Sequence, residues 1–172
     1  MVGLVDPAQV SANSGPYSHR SHYLANQFKN ANPNQIFLVP YNTGNHWILI
    51  IVKPRKETVY YTDSLSQRVN DKDCKNIVNT AIKVFSAQNS KQGCKVSIWK
   101  VLEGTPRQPT NVEYDYFVMH FMRDIATNRS LEFAQKWDKR NKNSSYTQEQ
   151  IDEVRKEWAE YVSNHMSYRL SI

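Results

Sequence analysis

Between residues 35 and 64 the apolar positions form short continuous runs; from residue 71 onward they recur mainly at three- and four-residue steps. The runs QIFLVPYN (35–42) and HWILIIV (46–52) are rich in β-branched and aromatic residues. The turn-forming stretch YNTGN joins them, which predicts two adjacent strands. Residues 47–52 are apolar throughout, the pattern of a central strand covered on both faces. ETVYYTDS (57–64) predicts the next strand. A helix follows, with Asp71 or Asp73 as its cap, and with Cys74, Ile77, Val78, Ala81, Ile82 and Phe85 on one face.

CKVSIWKV (94–101) reads as a further strand, with Cys94 at its start. PRQPTNVEYDYFVMHFMRDI (106–125) reads as a proline-bounded turn feeding a helix. From Tyr114, the residues Phe117, Val118, Phe121, Met122 and Ile125 make a stripe broad enough for deep packing. A last helix opens at TQEQ, where Thr147 and Gln150 have capping-box spacing; Ile151, Val154, Trp158, Tyr161 and Val162 form its expected buried stripe. Residues 1–34 are polar and turn-rich, with a short helix fitting 21–30, and read as an N-terminal extension or a diverged domain start. Residues 35–172 read as a single globular domain. The order of strands, helix, strand, helix and helix is that of an α+β fold, not of an alternating parallel array.

Composition narrows the class. With 40% hydrophobic and 22% charged residues over 172 positions, the chain can bury a real core. No apolar run approaches the roughly 18 residues of a membrane span. The start, MVGLVDPAQVSANSG, lacks the basic-then-apolar layout of a secretion signal. Two cysteines make no disulfide framework, so an intracellular protein, nuclear or cytoplasmic, is expected. The charge of +6 permits an acidic partner, yet the basic residues are spread out and mixed with acids. The densest cluster, KWDKRNKN (136–143), reads as solvated surface, and nothing resembles a nucleic-acid recognition element. His19 and His22 stand three apart without a carboxylate or cysteine beside them, so neither metal nor cofactor is implied. Cys74 lies on an apolar helix face and reads as a small core residue.

Three polar residues interrupt the apolar elements. His46 heads the central strand, Asp63 ends the next, and Gln108 lies in the turn before the buried helix. Singly, each is ordinary at a strand end or in a loop. Together they suit a cysteine hydrolase, which needs a base, a carboxylate that orients it, and a donor for the oxyanion. A thiol at the start of the buried helix would complete the set, its thiolate favoured by the helix dipole.

GNHWILIIV, VYYTDSL and PRQPTNVEYDYFVMHFMRDI resemble the ubiquitin-like protease family, the SUMO-specific cysteine proteases, and most of all its transposon-associated plant branch. That family has His-Trp at a strand start, Asp ending the next strand, and Gln. Five residues after the Gln come Cys and Gly, opening a helix. The resemblance covers about 36–125. It implies a papain-like, adenain-like α+β fold, a central mixed sheet flanked by helices. It places His46 as base, Asp63 as orienting acid, Gln108 as oxyanion donor and Trp47 as packing beside the site. Where the family has Cys-Gly, this sequence has Tyr114-Asp115. A phenol is bulkier than a thiol and holds its proton more tightly. A carboxylate at Asp115 would oppose a developing oxyanion, and would be within reach to pair with His46. The family's N-terminal Trp-Leu motif, whose Trp covers the modifier's Gly-Gly tail, is missing: no Trp precedes Trp47.

The expectation is therefore a protease-like domain that has lost its nucleophile and works as a protein-binding adaptor. SUMO or another ubiquitin-like modifier is the partner the resemblance suggests. The alternatives are an enzyme of altered chemistry using His46, Asp63 and Tyr114, and a basic protein associated with nucleic acid.

Overall fold

The computed structural model describes residues 1–65, 71–89, 97–102, 104–109, 113–127 and 145–169, the last five of these by their backbone alone. Five strands, β1 (Val2–Leu4), β2 (Ile36–Asn42), β3 (Trp47–Lys53), β4 (Thr58–Thr62) and β5 (Ile98–Val101), form one sheet in sequence order. The inner pairs β2–β3 and β3–β4 are antiparallel, and the outer pairs β1–β2 and β4–β5 are parallel. The helices are α1 (Tyr17–Phe28), α2 (Lys72–Gln88), α3 (Tyr114–Thr127) and α4 (Gln148–Arg169). The domain is α+β, as expected from the element order, and its sheet is mixed, as the resemblance implies.

Side chains of a strand alternate between faces, so β2 and β3 serve two cores. Phe37, Val39, Tyr41, Ile48, Ile50 and Val52 pack with α1 and α2. Ile36, Leu38, Leu49 and Ile51 pack with Phe117, Phe121 and Ile125 of α3 and Ile151 of α4. This two-sided cover is why residues 47–52 read as a continuous apolar run. Asp71 is the α2 cap, accepting from the Cys74 amide at 2.9 Å. The Thr147–Gln150 capping box also forms: each side chain accepts from the other's backbone amide.

Three expectations need correction. The first helix spans Tyr17–Phe28, starting four residues before the expected 21–30; its added first turn is held by α2, where Tyr17 donates to the Asn76 carbonyl and Arg20 to Asp73. Strand β1 was not expected; three residues are too few to show a period, and pairing with Ile36–Leu38 is what makes them a strand. The α4 stripe is buried only at Ile151 and Val154. Trp158 and Tyr161 are 48% and 55% exposed, and stack on each other with ring centroids 5.9 Å apart. Periodicity shows which residues share a helix face, not how far along the helix a neighbour covers it. The cluster at 136–143 and Cys94 lie outside the described residues. No described helix is long and apolar enough to cross a membrane.

The α3–α4 junction holds a second imidazole. His120 is 3% exposed and stacks on Tyr146 with centroids 3.7 Å apart. Arg123 lies 3.3 Å from its Nε2 and bridges to Glu153 and Glu157 of α4. Its Nδ1 lies 3.5 Å from Asp124 without hydrogen-bond geometry, while the Tyr146 hydroxyl donates to Asp124 at 2.8 Å. Burial pushes the His120 pKa down and Arg123 adds to this, outweighing the pull of Asp124 and Glu153.

Candidate functional site

His46 is placed by the turn between β2 and β3. Gly44 adopts a left-handed φ of 106°, a region that L side chains enter only with strain. The Gly44 amide donates to Asn42 Oδ1 at 2.7 Å. The Thr43 amide and hydroxyl both donate to the His46 carbonyl, at 2.9 and 3.1 Å. The backbone is therefore fixed one residue before β3 begins. Antiparallel register pairs Leu49 with Thr62, so the head of β3 and the tail of β4 share one end of the sheet.

That adjacency joins His46 to Asp63. The imidazole Nε2 donates to Asp63 Oδ1 at 2.8 Å, with the carboxylate side chain 3% exposed. The same oxygen accepts from the Leu65 amide at 2.9 Å, which holds the carboxylate in place after β4 ends. Burial pushes the neighbouring Tyr61 hydroxyl pKa well up, and the Asp63 charge adds to this. The other imidazole nitrogen, Nδ1, is buried and has no hydrogen-bond partner among the described residues. The Tyr114 ring packs edge-on against this imidazole, with centroids 5.1 Å apart and planes at 75°.

Gln108 reaches the same end of the sheet through a contact that sequence reasoning missed. Its backbone amide donates to the Ser64 carbonyl at 3.1 Å, and its Oε1 accepts from the Ser64 hydroxyl at 2.6 Å. The side chain's other polar group is an NH2 donor. The clue was the position of Ser64 directly after Asp63 in TDS. The four residues His46, Asp63, Gln108 and Tyr114 thus come from three separate stretches of chain.

The start of α3 is braced from α4. Arg155 donates to Glu113 at 2.9 Å and to Asp152 at 2.6 Å, and its guanidinium lies 4.7 Å above the Tyr116 ring. Its pKa is raised, mainly by the bond to Glu113. Asp115 behaves differently from its expected role. Its Oδ1 accepts from the Tyr116 amide at 2.9 Å, and among the described residues it does not pair with His46, whose Nε2 is committed to Asp63. Trp47 is half-buried against the second core, and also lines a hollow of about 360 Å³ with Pro7, Ser11, Ser14 and Gly44. Cys74 sits with α1 and α2 on the opposite face of the sheet from α3, and burial pushes its thiol pKa well up. His19 and His22 are exposed on α1.

Chemically, a buried carboxylate holding an imidazole is the base half of a hydrolase centre. The nitrogen that would take a proton faces no thiol or hydroxyl within hydrogen-bond distance among the described residues. An aromatic ring packs against the imidazole instead.

Comparison with solved structures places the fold. A structure described as a de-sumoylating protease matches with a TM-score of 0.54 and 14% identity, covering 97% of this chain and 73% of that one. SUMO protease Ulp1 with its catalytic cysteine oxidised to a sulfonic acid matches with a TM-score of 0.51 and 16% identity, covering 80% of this chain. The chain spans 48%, 65% and 63% of the three SUMO protease Ulp1 chains it matches. No curated protein matches the sequence. The profile of the Ulp1 protease family, C-terminal catalytic domain, matches residues 9–170, and the chain belongs to that family.

Proposed function

We propose that this chain is a catalytically silent member of its family, retained for binding another protein. The observation that carries the reading is the Tyr114 ring packed 5.1 Å from the imidazole of His46, whose Nδ1 has no hydrogen-bond partner among the described residues. Five residues separate Gln108 from Tyr114, the spacing that puts Cys after Gln in the family resemblance. Tyr114-Asp115 then stands where the family, which this sequence resembles most in its transposon-associated plant branch, has Cys-Gly. A carboxylate at the second position adds negative charge beside the place where an oxyanion would form.

The rest of the centre supports a binding role, because its scaffold is intact. The pair of His46 and Asp63, the Ser64–Gln108 link and the half-buried Trp47 all persist around the altered position. SUMO or a related modifier is the first partner to test, in a nuclear or cytoplasmic setting. The protein is incubated with SUMO precursors and SUMO conjugates, and mature SUMO is titrated against it by NMR or calorimetry. Binding without cleavage is expected. Cleavage that survives His46→Ala would still refute catalytic silence. Cleavage lost with His46→Ala would assign the altered-chemistry enzyme instead. Absence of both would leave the protein-binding reading to other partners, sought by pull-down.

A further inference from the structure

The second face of the sheet carries a groove that borders the site just described at Trp47 and Asp115 and extends away from His46. It has a volume of about 700 Å³ and runs between β1, α3 and α4. Its apolar lining comes from Leu4, Pro40, Trp47, Met119, Met122 and Trp158. Beyond Trp158 a smaller hollow of about 440 Å³ continues, between Met119, Arg123 and Tyr161. Leu4, Trp158 and Tyr161 are 64%, 48% and 55% exposed. Isolated exposed apolar residues are ordinary, but contiguous Trp, Tyr and Met around a concave surface are what docking sites are built from.

Charge says what fits there. Two carboxylates, Asp6 and Asp115, line the groove, and no Lys or Arg does. The chain as a whole has 22 basic against 16 acidic residues, so this face departs from its surroundings. Each carboxylate accepts one backbone amide, from Ala8 and Tyr116 respectively, and neither is ion-paired among the described residues. The cation of the adjoining hollow, Arg123, is already bridged to Glu153 and Glu157. The surface therefore repels phosphate and favours a cation beside an apolar contact.

We propose that this groove docks a short partner segment with large apolar side chains flanked by lysine or arginine. The proposal deepens the protein-binding reading and rests on it, but it assigns the contact to Trp158 and the two carboxylates, not to His46. The apolar side chains fill the space between Met122 and Trp158, and the flanking cations meet Asp6 and Asp115.

The test uses the full chain and three fluorescein-labelled amphipathic peptides, read by anisotropy at low and physiological salt. One carries Leu and Phe with flanking Lys, the second has Glu for each Lys, and the third has Ala for each Leu and Phe. The Lys peptide should bind, with the Glu and Ala versions at least about tenfold weaker. Trp158→Ala should weaken the Lys peptide about tenfold. The double change Asp6→Asn with Asp115→Asn should weaken it severalfold and flatten its salt dependence. Equal binding of all three peptides, or an undiminished affinity in Trp158→Ala, would overturn the proposal. So would self-association by ultracentrifugation that Trp158→Ala abolishes, which would assign the groove to a second copy. Loss of SUMO binding in His46→Ala with peptide binding intact would separate the two sites. Absence of peptide binding with SUMO binding intact would sink this inference alone.

Discussion

Replacing Tyr114→Cys together with Asp115→Gly asks directly whether the Tyr114 position faces the imidazole. The Tyr114 ring is partly buried and packs edge-on to His46 at 5.1 Å. Complete burial of such a side chain is worth about 3 kcal/mol, so partial burial contributes roughly 1–2 kcal/mol. The edge-on pair adds about 0.5–1.5 kcal/mol. The double variant should therefore lose roughly 2 kcal/mol of unfolding free energy, a cost a domain of this size tolerates. In return, the introduced thiol would stand at the start of α3 and beside Nδ1 of His46. Both the helix dipole and an imidazolium favour thiolate. The assay is the rate of iodoacetamide labelling against pH. Below the thiol's pKa, each unit by which that pKa falls raises the thiolate fraction tenfold. Labelling near pH 6.5 should be about tenfold or more faster than in the same variant carrying His46→Ala. Of the chain's own two thiols, Cys74 is kept inert by burial in the folded protein, and Cys94 is replaced by serine in every variant compared. Equal labelling with and without His46 would show that residue 114 does not face the imidazole, and would remove the geometric basis for catalytic silence.

Further outcomes follow from particular contacts. His120 has a lowered pKa, so the unfolded chain binds its proton first, and the stability the neutral imidazole contributes is lost as pH falls below about 6.5. Urea denaturation between pH 7.5 and 5 should show a steeper loss for the wild type than for His120→Phe, with a difference of up to about 1 kcal/mol per pH unit; parallel curves would contradict this. Gly44→Ala has open space but a φ of 106°, so about 1 kcal/mol of strain should appear as a lowered Tm, with the largest amide shifts at Thr43 and His46. At Gly3, an added Cβ would sit 2.6 Å from the Phe37 ring. Gly3→Ala should cost about 1–3 kcal/mol in chemical denaturation and perturb the contact of Phe37 with Phe28; an unchanged midpoint would show that β1 simply lifts away.

What the sequence made legible depended on how local the signal was. Strand β3 could be read because burial on both faces leaves no polar position in 47–52, and α3 because its apolar stripe is broad. The ends of β3 and β4 marked His46 and Asp63, since a polar residue next to a buried strand must still find a partner. The Ser64–Gln108 link was hidden because it spans 44 positions and neither residue is unusual where it stands. His120 was hidden because it shares the α3 stripe with apolar residues and is stacked by Tyr146 from beyond that helix. The exposure of Trp158 and Tyr161 was beyond pattern reading, because periodicity records a face and not its cover.

The sheet's strictly sequential strand order has a consequence for how the molecule is made. Each strand pairs with its neighbour in the chain, so no strand has to be inserted between two already joined. The sheet can grow in one direction as the chain emerges, with α1 and α2 closing the first core by Gln88. The second core waits for α3 and α4, the last elements to appear. His46 and Asp63 can therefore meet early, while Tyr114 is positioned only in the final stage. A partner that grips the α3–α4 face would act on this last step, and would favour completion of the fold as well as the finished protein.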